Sequence, residues 1–245
     1  MAERDSLEGF LDGAEVQAAV FELRPDYRAL LVAVEGVEAG ASDEVSEELL
    51  VRAERAAADS LAVSSVEDLP HIAAWRAAYR AFGAKPQRTR NSLEALLRRA
   101  GAGLPRVNRL TDIYNAISVL HQIPLGGEDL TRYSGSPRLF RATGAEPFDT
   151  VTDGQTTIEY PDGGEVVWCD DEGVTCRRWN WRQGRRTQLT PDTTAALFIL
   201  DALAPMTDDA LTAAGEDLVT NLQRFGPGVR VATRLLEPRS SGRDA

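Results

Sequence analysis

The order of strand-like and helix-like runs predicts an α+β fold of mixed sheets with packed helices. Three observations predict it. Helical periodicity fills residues 43–121, after an early pair of strand-like runs. Short β-rich runs separated by Asp/Gly turns fill residues 138–179. Neither an internal repeat nor a heptad run is present, and strands and helices are partly segregated along the chain.

Taken in order, residues 1–15 read as a polar leader. Residues 16–23 and 28–35 read as two strands joined by a turn at Pro25-Asp26. Residues 43–63 are rich in Glu and Ala and carry Leu49, Leu50, Ala53 and Ala57 at amphipathic helical spacing. A helix over 71–82 places Ile72, Trp75, Tyr79 and Phe82 on one stripe and ends at Gly83. Asn91 or Ser92 caps the next helix, which carries Leu93, Leu96, Leu97 and Ala100 and stops at Gly101. A further helix spans 109–121, with Leu110, Ile113, Ile117 and Leu120 pointing one way. Strands are predicted at 138–142, 156–160, 165–169 and 174–179, with turns at Asp162-Gly163-Gly164 and Asp171-Glu172-Gly173. Helices are predicted at 192–203 and 208–225. The domain is expected to span 16–228, followed by a C-terminal tail over 229–245 whose residues 237–245 are polar and expected to be disordered.

Length and composition narrow the function classes. A chain of 245 residues can bury one large core. It has no apolar run long enough for a membrane span. The acidic N-terminus lacks the apolar segment of a signal peptide, so the cytoplasm is the default location. The two cysteines, Cys169 and Cys176, are expected to be reduced and structural. The two histidines, His71 and His121, have no metal-ligand spacing with them, so neither metal nor cofactor is expected.

The charge is segregated. Residues 1–75 carry seventeen acids and five basic residues. Residues 76–109 carry nine basic residues (Arg76, Arg80, Lys85, Arg88, Arg90, Arg98, Arg99, Arg106, Arg109) and one acid, Glu94. A second basic cluster comprises Arg177, Arg178, Arg182, Arg185 and Arg186. Local field decides phosphate binding more than net charge does. The segment either faces RNA or pairs internally with the acidic third. The RNA-facing assignment takes Arg76, Arg80, Lys85, Arg88, Arg90 and Arg177.

Two stretches carry candidate chemistry. Asn108, Asp112, Asn115 and Ser118 recur at spacings of four, three and three, forming one polar face of the 109–121 helix. Such short polar residues suit helix interiors poorly, so the face is either solvated or a pocket wall. In the 165–183 hairpin, alternation places Arg177, Trp179 and Trp181 on one face and Cys176, Arg178 and Asn180 on the other. The tryptophans either stack bases or fill a core with a charged rim. Glu165, Asn180 and Gln183 are candidates for a polar wall.

Residues 104–124, with Asp112-Ile-Tyr-Asn115 at their centre, resemble the B3/4 domain of phenylalanyl-tRNA synthetase β subunits. Trp75-Arg76, Tyr79-Arg80, Phe82-Gly83, Lys85-Pro86, residues 90–99 and residues 176–183 resemble free-standing bacterial members, so the resemblance covers about 15–225. It implies a B3/4 fold and a site that hydrolyses mischarged aminoacyl-tRNA, tyrosyl-tRNA(Phe) in the synthetase. It implies Asn115 as a substrate-contacting residue and Asp112 as its support or as the amino-group ligand. It also places Asp201 on the acidic residue that selects the tyrosine hydroxyl. The partner implied is the aminoacylated acceptor end of tRNA. The chain departs from the family at Gly126-Gly127, where the synthetase has a histidine, and at Tyr114, where it has threonine. Both changes bear on amino-acid specificity. Without a synthetase catalytic domain the protein is expected to act in trans. A non-catalytic tRNA or amino-acid binding module and a protein-docking scaffold are the competing expectations.

Overall fold

The computed structural model describes residues 6–226 and 228–238. Capping chemistry sets most of the helix starts. Ser6 accepts a hydrogen bond from the Gly9 amide and opens α1 (Leu7–Asp12). A two-residue strand β1 (Glu15–Val16) and a short helix α2 (Ala18–Leu23) lead into β2 (Arg28–Glu35). Asp43 and Ser46 form a reciprocal capping box on α3 (Glu44–Val63). Pro70 takes the first position of α4 (Pro70–Ala81), where its missing N–H has no helical partner to lose. Asn91 caps α5 (Ser92–Ala100), and Asn108 caps α6 (Arg109–Leu120). The strands β3 (Leu125–Asp129), β4 (Arg138–Arg141), β5 (Phe148–Thr152) and β6 (Gln155–Glu159) follow. They lead to β7 (Val166–Cys169), β8 (Val174–Arg177), β9 (Arg182–Gln183) and β10 (Ala195–Ala202). Helix α7 (Asp208–Leu222) and β11 (Arg230–Leu236) complete the described chain.

Two sheets result. One has four antiparallel strands in the order β11-β2-β10-β3. The other has seven strands, in the order β1-β4-β7-β8-β5-β6 with β9 paired to β8. The central strands β2 and β10 of the four-stranded sheet are buried on both faces. Along β2 and β10, Val32, Val34, Phe198 and Leu200 join one core, shared with α3, α5, α6 and α7. Ala29, Leu31, Leu197 and Ile199 join a second core with Tyr27, Trp75, Trp168 and Trp179. The period of two along a strand makes this division.

The expected α+β class, the 28–35 strand and the helices near 43–63, 71–82, 91–100 and 109–121 match the structure. Residues 18–23 form α2, not a strand, with only Val20 buried. Residues 195–202 form β10, not a helix. This run is apolar on both faces, and for such a run periodicity does not separate a strand from a buried helix. The expected leader contains α1, whose Leu7 and Leu11 are buried; residues 1–5 lie outside the described residues. The expected tail contains β11, hydrogen-bonded to β2 from Arg230 opposite Glu35 to Leu236 opposite Ala29. Residues 239–245 lie outside the described residues. Strands β3 and β5 were also not legible, since β3 reads Leu-Gly-Gly-Glu-Asp.

A chain ending at residue 228 is expected to melt at a lower temperature by circular dichroism. It loses the strand that covers β2. An unchanged melting temperature contradicts the structural role of β11.

Candidate functional site

The four polar residues of α6 are all buried but do not act together. Asn108 caps the helix, accepting from the Thr111 amide at 2.9 Å. Asp112 is fully buried. It accepts from Ser42 Oγ at 2.5 Å, from the Val107 amide at 2.8 Å and from Ser46 Oγ at 3.4 Å. Those bonds tie α6 to the start of α3 and leave Asp112 out of the cleft described below. Ser118 donates to the Ile123 carbonyl at 2.6 Å. Asn115 alone reaches a cleft, and its carboxamide makes no hydrogen bond among the described residues.

That cleft, of about 270 Å³, lies between α5, α6, β3, the 176–183 segment and the end of β10. A larger groove of about 760 Å³ runs beside α1, but none of the sequence-predicted site residues line it. Besides Asn115, the cleft is walled by three of the predicted residues: Asn180, Gln183 and Asp201. Asn180 accepts from Tyr79 Oη at 2.9 Å and donates to Asp201 Oδ2 at 3.2 Å. Tyr27 Oη donates to Asp201 Oδ1 at 2.5 Å. Gln183 donates to the Gly127 carbonyl at 2.9 Å. Glycine is required at 127, because a Cβ there would lie within 2.9 Å of Phe198, Leu189 and Tyr114. A Cβ at Gly126 would lie 3.0 Å from Gln183 Nε2. The absence of a histidine at this turn is therefore matched by close packing.

The alternation expected for 174–181 stops at Arg177. Arg178 and Trp179 have φ of 48° and 68°, so the chain leaves the strand in the left-handed region. Trp179 then packs edge-on against Tyr27 and Trp75 at 5.0 and 5.2 Å, as a core residue that also walls the cleft. Trp181 is half-buried at the cleft, with the Arg178 guanidinium 4.5 Å from its ring centroid. Cys176 lines the cleft with its thiol pushed well up by burial, so it is not a thiolate. His71 does not enter the cleft wall. Its Nε2 accepts from Trp75 Nε1 at 3.2 Å and from the Leu203 amide at 3.1 Å, and burial lowers its pKa.

Sequence reasoning missed Glu128. It sits on β3, walls the cleft and is 1% exposed. Tyr133 Oη donates to its Oε2, while Oε1 has no partner among the described residues. Burial pushes Glu128 up to about 7, opposed by Tyr133 and Arg186 and reinforced by Asp170. Burial likewise pushes Asp201 up to about 7, against the hydrogen bonds from Tyr27 and Asn180 and with help from the charge of Glu128. The only available signal was an acid in a Gly-Gly-Glu strand, which carries no periodicity.

The arginines divide. Arg177 is buried and bidentate on Glu165, at 2.9 and 2.8 Å, so neither residue is free for RNA or substrate. Arg178, Arg185 and Arg186 pair with Glu165, Asp149 and Asp170. Arg76 binds the fully buried Glu94 at 2.6 Å. Arg98, Arg106 and Arg109 pair with Glu67, Glu47 and Asp43 of the acidic third. The internal-pairing expectation holds for these. Arg80, Lys85 and Arg88 are exposed and make no ion pair among the described residues; Arg90 is exposed and 3.8 Å from Glu94. Arg99 is also exposed and unpaired among them, and it lines the cleft with Arg182, which is half-buried, bonded to Thr150 and 3.8 Å from Glu159.

The B3/4 domain family matches residues 74–216. The chain belongs to this B3/4 domain family. Among solved structures it is similar to an N-terminal fragment of the phenylalanyl-tRNA synthetase β subunit from Pyrococcus horikoshii. That similarity has 12% identity and a TM-score of 0.45, over 89% of this chain and 49% of that one. The chain thus spans about half the length of that structure. No curated protein sequence matches it. Among the described residues, no helix is long and apolar enough to cross a membrane.

Asp112→Ala is expected to cost about 2–3 kcal/mol by urea denaturation, because it leaves buried donors unpaired. Asn115→Ala is expected to cost under about 1 kcal/mol; a larger loss for Asn115 contradicts its free placement. The raised carboxyls also predict a pH dependence. Their folded pKa values exceed the unfolded ones, so the stability they confer is full below about 4 and is lost as pH rises through about 7. Relative to wild type, Asp201→Asn should therefore gain melting temperature as pH rises from 4 to 7. A pH-independent difference contradicts the raised pKa.

Proposed function

We propose that this protein binds the aminoacylated end of tRNA and hydrolyses mischarged species. One observation carries this reading: the cleft presents the unpaired Asn115 carboxamide beside Asn180, Gln183 and Asp201, with the exposed Arg99 and the half-buried Arg182 at its edge. The family membership supports it, because the B3/4 domain of the synthetase is an editing site.

The chemistry asks little of the protein. An aminoacyl ester is already activated, and water attacks its carbonyl carbon. The ribose oxygen leaves with a proton, releasing free amino acid and tRNA. Asn115 holds the acyl group by hydrogen bonds that strengthen as charge builds on the carbonyl oxygen. The protonated thiol of Cys176 and the internal role of His71 favour water over a protein nucleophile. Arg99 and Arg182 at the edge, with Arg80, Lys85, Arg88 and Arg90 around α4 and α5, supply phosphate contacts to the acceptor stem. Aromatic amino acids are one candidate class of misacylated residue.

A panel of mischarged tRNAs tests the reading. At least one should lose its ester faster than in buffer, and Asn115→Ala should slow that loss by about tenfold or more with an unchanged circular dichroism spectrum. Binding of the same tRNAs without ester loss would reduce the protein to a binding module, and no turnover of any substrate removes the enzyme.

A further inference from the structure

We infer that the floor of the cleft is a seat for the free α-ammonium group of an aminoacyl ester, with Glu128 as its direct ligand and Asp201 as the second charge facing it. This deepens the deacylase reading and rests on it for the nature of the ester.

The inference starts from unmet bonding capacity. Glu128 and Asp201 line one cleft and are 1% and 2% exposed. Buried carboxylates are normally ion-paired or fully hydrogen-bonded. Neither makes an ion pair among the described residues. Arg186, whose charge reaches Glu128, is itself held by Asp170 at 2.6 Å. Asp201 has its two oxygens bonded by Tyr27 and Asn180. Glu128 has one oxygen bonded by Tyr133 and the other, Oε1, unpartnered.

A second, independent observation concerns donors. Trp168 and Trp179 also line the cleft; their buried indole N–H groups lie within reach of Asp201 and Tyr27, respectively, but form no well-aligned hydrogen bond among the described residues. Unpaired buried polar groups in a native fold call for an explanation. Here the unpaired Glu128 Oε1, the unpaired Ser92 hydroxyl and two poorly satisfied indole donors border one cavity. An α-amino ester carries the complement: an ammonium three bonds from a carbonyl oxygen. Its ammonium meets Glu128 and its carbonyl faces the indoles. A ligand with only a cation leaves the indoles unmet, and one with only a carbonyl leaves Glu128 unmet. Both carboxyls titrate near neutrality, so an arriving cation draws them into the charged form with release of a proton.

The consequence is selectivity at the amino end. Esters whose α-nitrogen is acylated, such as peptidyl or N-formyl esters, lose the charge and collide with the floor, so the site spares them.

The test uses the full chain labelled with nitrogen-15, following the indole N–H signals by nuclear magnetic resonance. The probes are L-amino-acid amides with apolar, aromatic, polar and basic side chains, their N-acetyl counterparts, and n-butylamine. At least one amide should shift the Trp168 or Trp179 signal, and its N-acetyl form should bind about tenfold more weakly or worse. Glu128→Gln, which keeps the shape and the Tyr133 contact, should abolish that discrimination. Asp201→Asn should reduce it. Equal binding of the N-acetyl form overturns the seat. So does discrimination that survives in Glu128→Gln, or n-butylamine binding as tightly as every amide. The two readings fail separately. Amide binding with no tRNA ester loss removes the deacylase and leaves the seat. Ester loss that ignores N-acetylation removes the seat alone.

Discussion

Burial of β10 on both faces is the constraint on which the rest of this structure depends. Its alternate side chains belong to different cores, Phe198 and Leu200 to the helical layer, Leu197 and Ile199 to the tryptophan layer. A one-residue slip would exchange the two sets and turn every side chain to the wrong layer. The strand is flanked by β2 along its whole length and by β3 at its other edge, which pins the register. Asp201, near its end, is thereby delivered to Tyr27 and Asn180, and β3 is held where Glu128 meets the cleft. A polar site is built on a strand whose own residues are almost wholly apolar.

The cleft follows from how two rigid elements stop. Helix α6 is locked at its start by Asp112 against α3, so Asn115, one turn later, is fixed without bonding anything itself. On the opposite wall the chain leaves β8 through two left-handed residues, Arg178 and Trp179. That turn sends Trp179 into the core and sets Asn180, Trp181 and Gln183 along the cleft. Left-handed backbone at non-glycine residues costs of order 1–3 kcal/mol each and persists where the surroundings hold it. Here the aromatic packing of Trp179 on Tyr27 and Trp75 holds it.

Much of the fold could be read from the sequence, and the reasons differ for what could not. The amphipathic helices α3, α4, α5 and α6 announce themselves by caps and stripes. Strand β10 does not, because two buried faces erase alternation. Strand β11 is short of periodic signal because its residues alternate irregularly between exposed and buried, with Ala232 and Leu236 in the second core and the backbone paired to β2. For the site, the spacing of Asn108, Asp112, Asn115 and Ser118 correctly flagged a polar helix face but could not divide it into one cleft residue and three structural ones. Short polar side chains bond equally well to backbone, to a neighbouring helix or to a ligand. Charge counting found a basic segment, yet the acidic third neutralises Arg98, Arg106 and Arg109, and Glu165 absorbs Arg177. Glu128 was invisible because its importance is one of burial, which no local pattern records.

The most direct test of the central claim is a crystal structure with a non-hydrolysable 3′-aminoacylamino-3′-deoxyadenosine soaked into the protein. The account expects the acyl group inside the cleft, within hydrogen-bond reach of the Asn115 carboxamide, with the adenosine toward Arg99 and Arg182. The compound seated in the groove beside α1, or absent at saturating concentration, contradicts it.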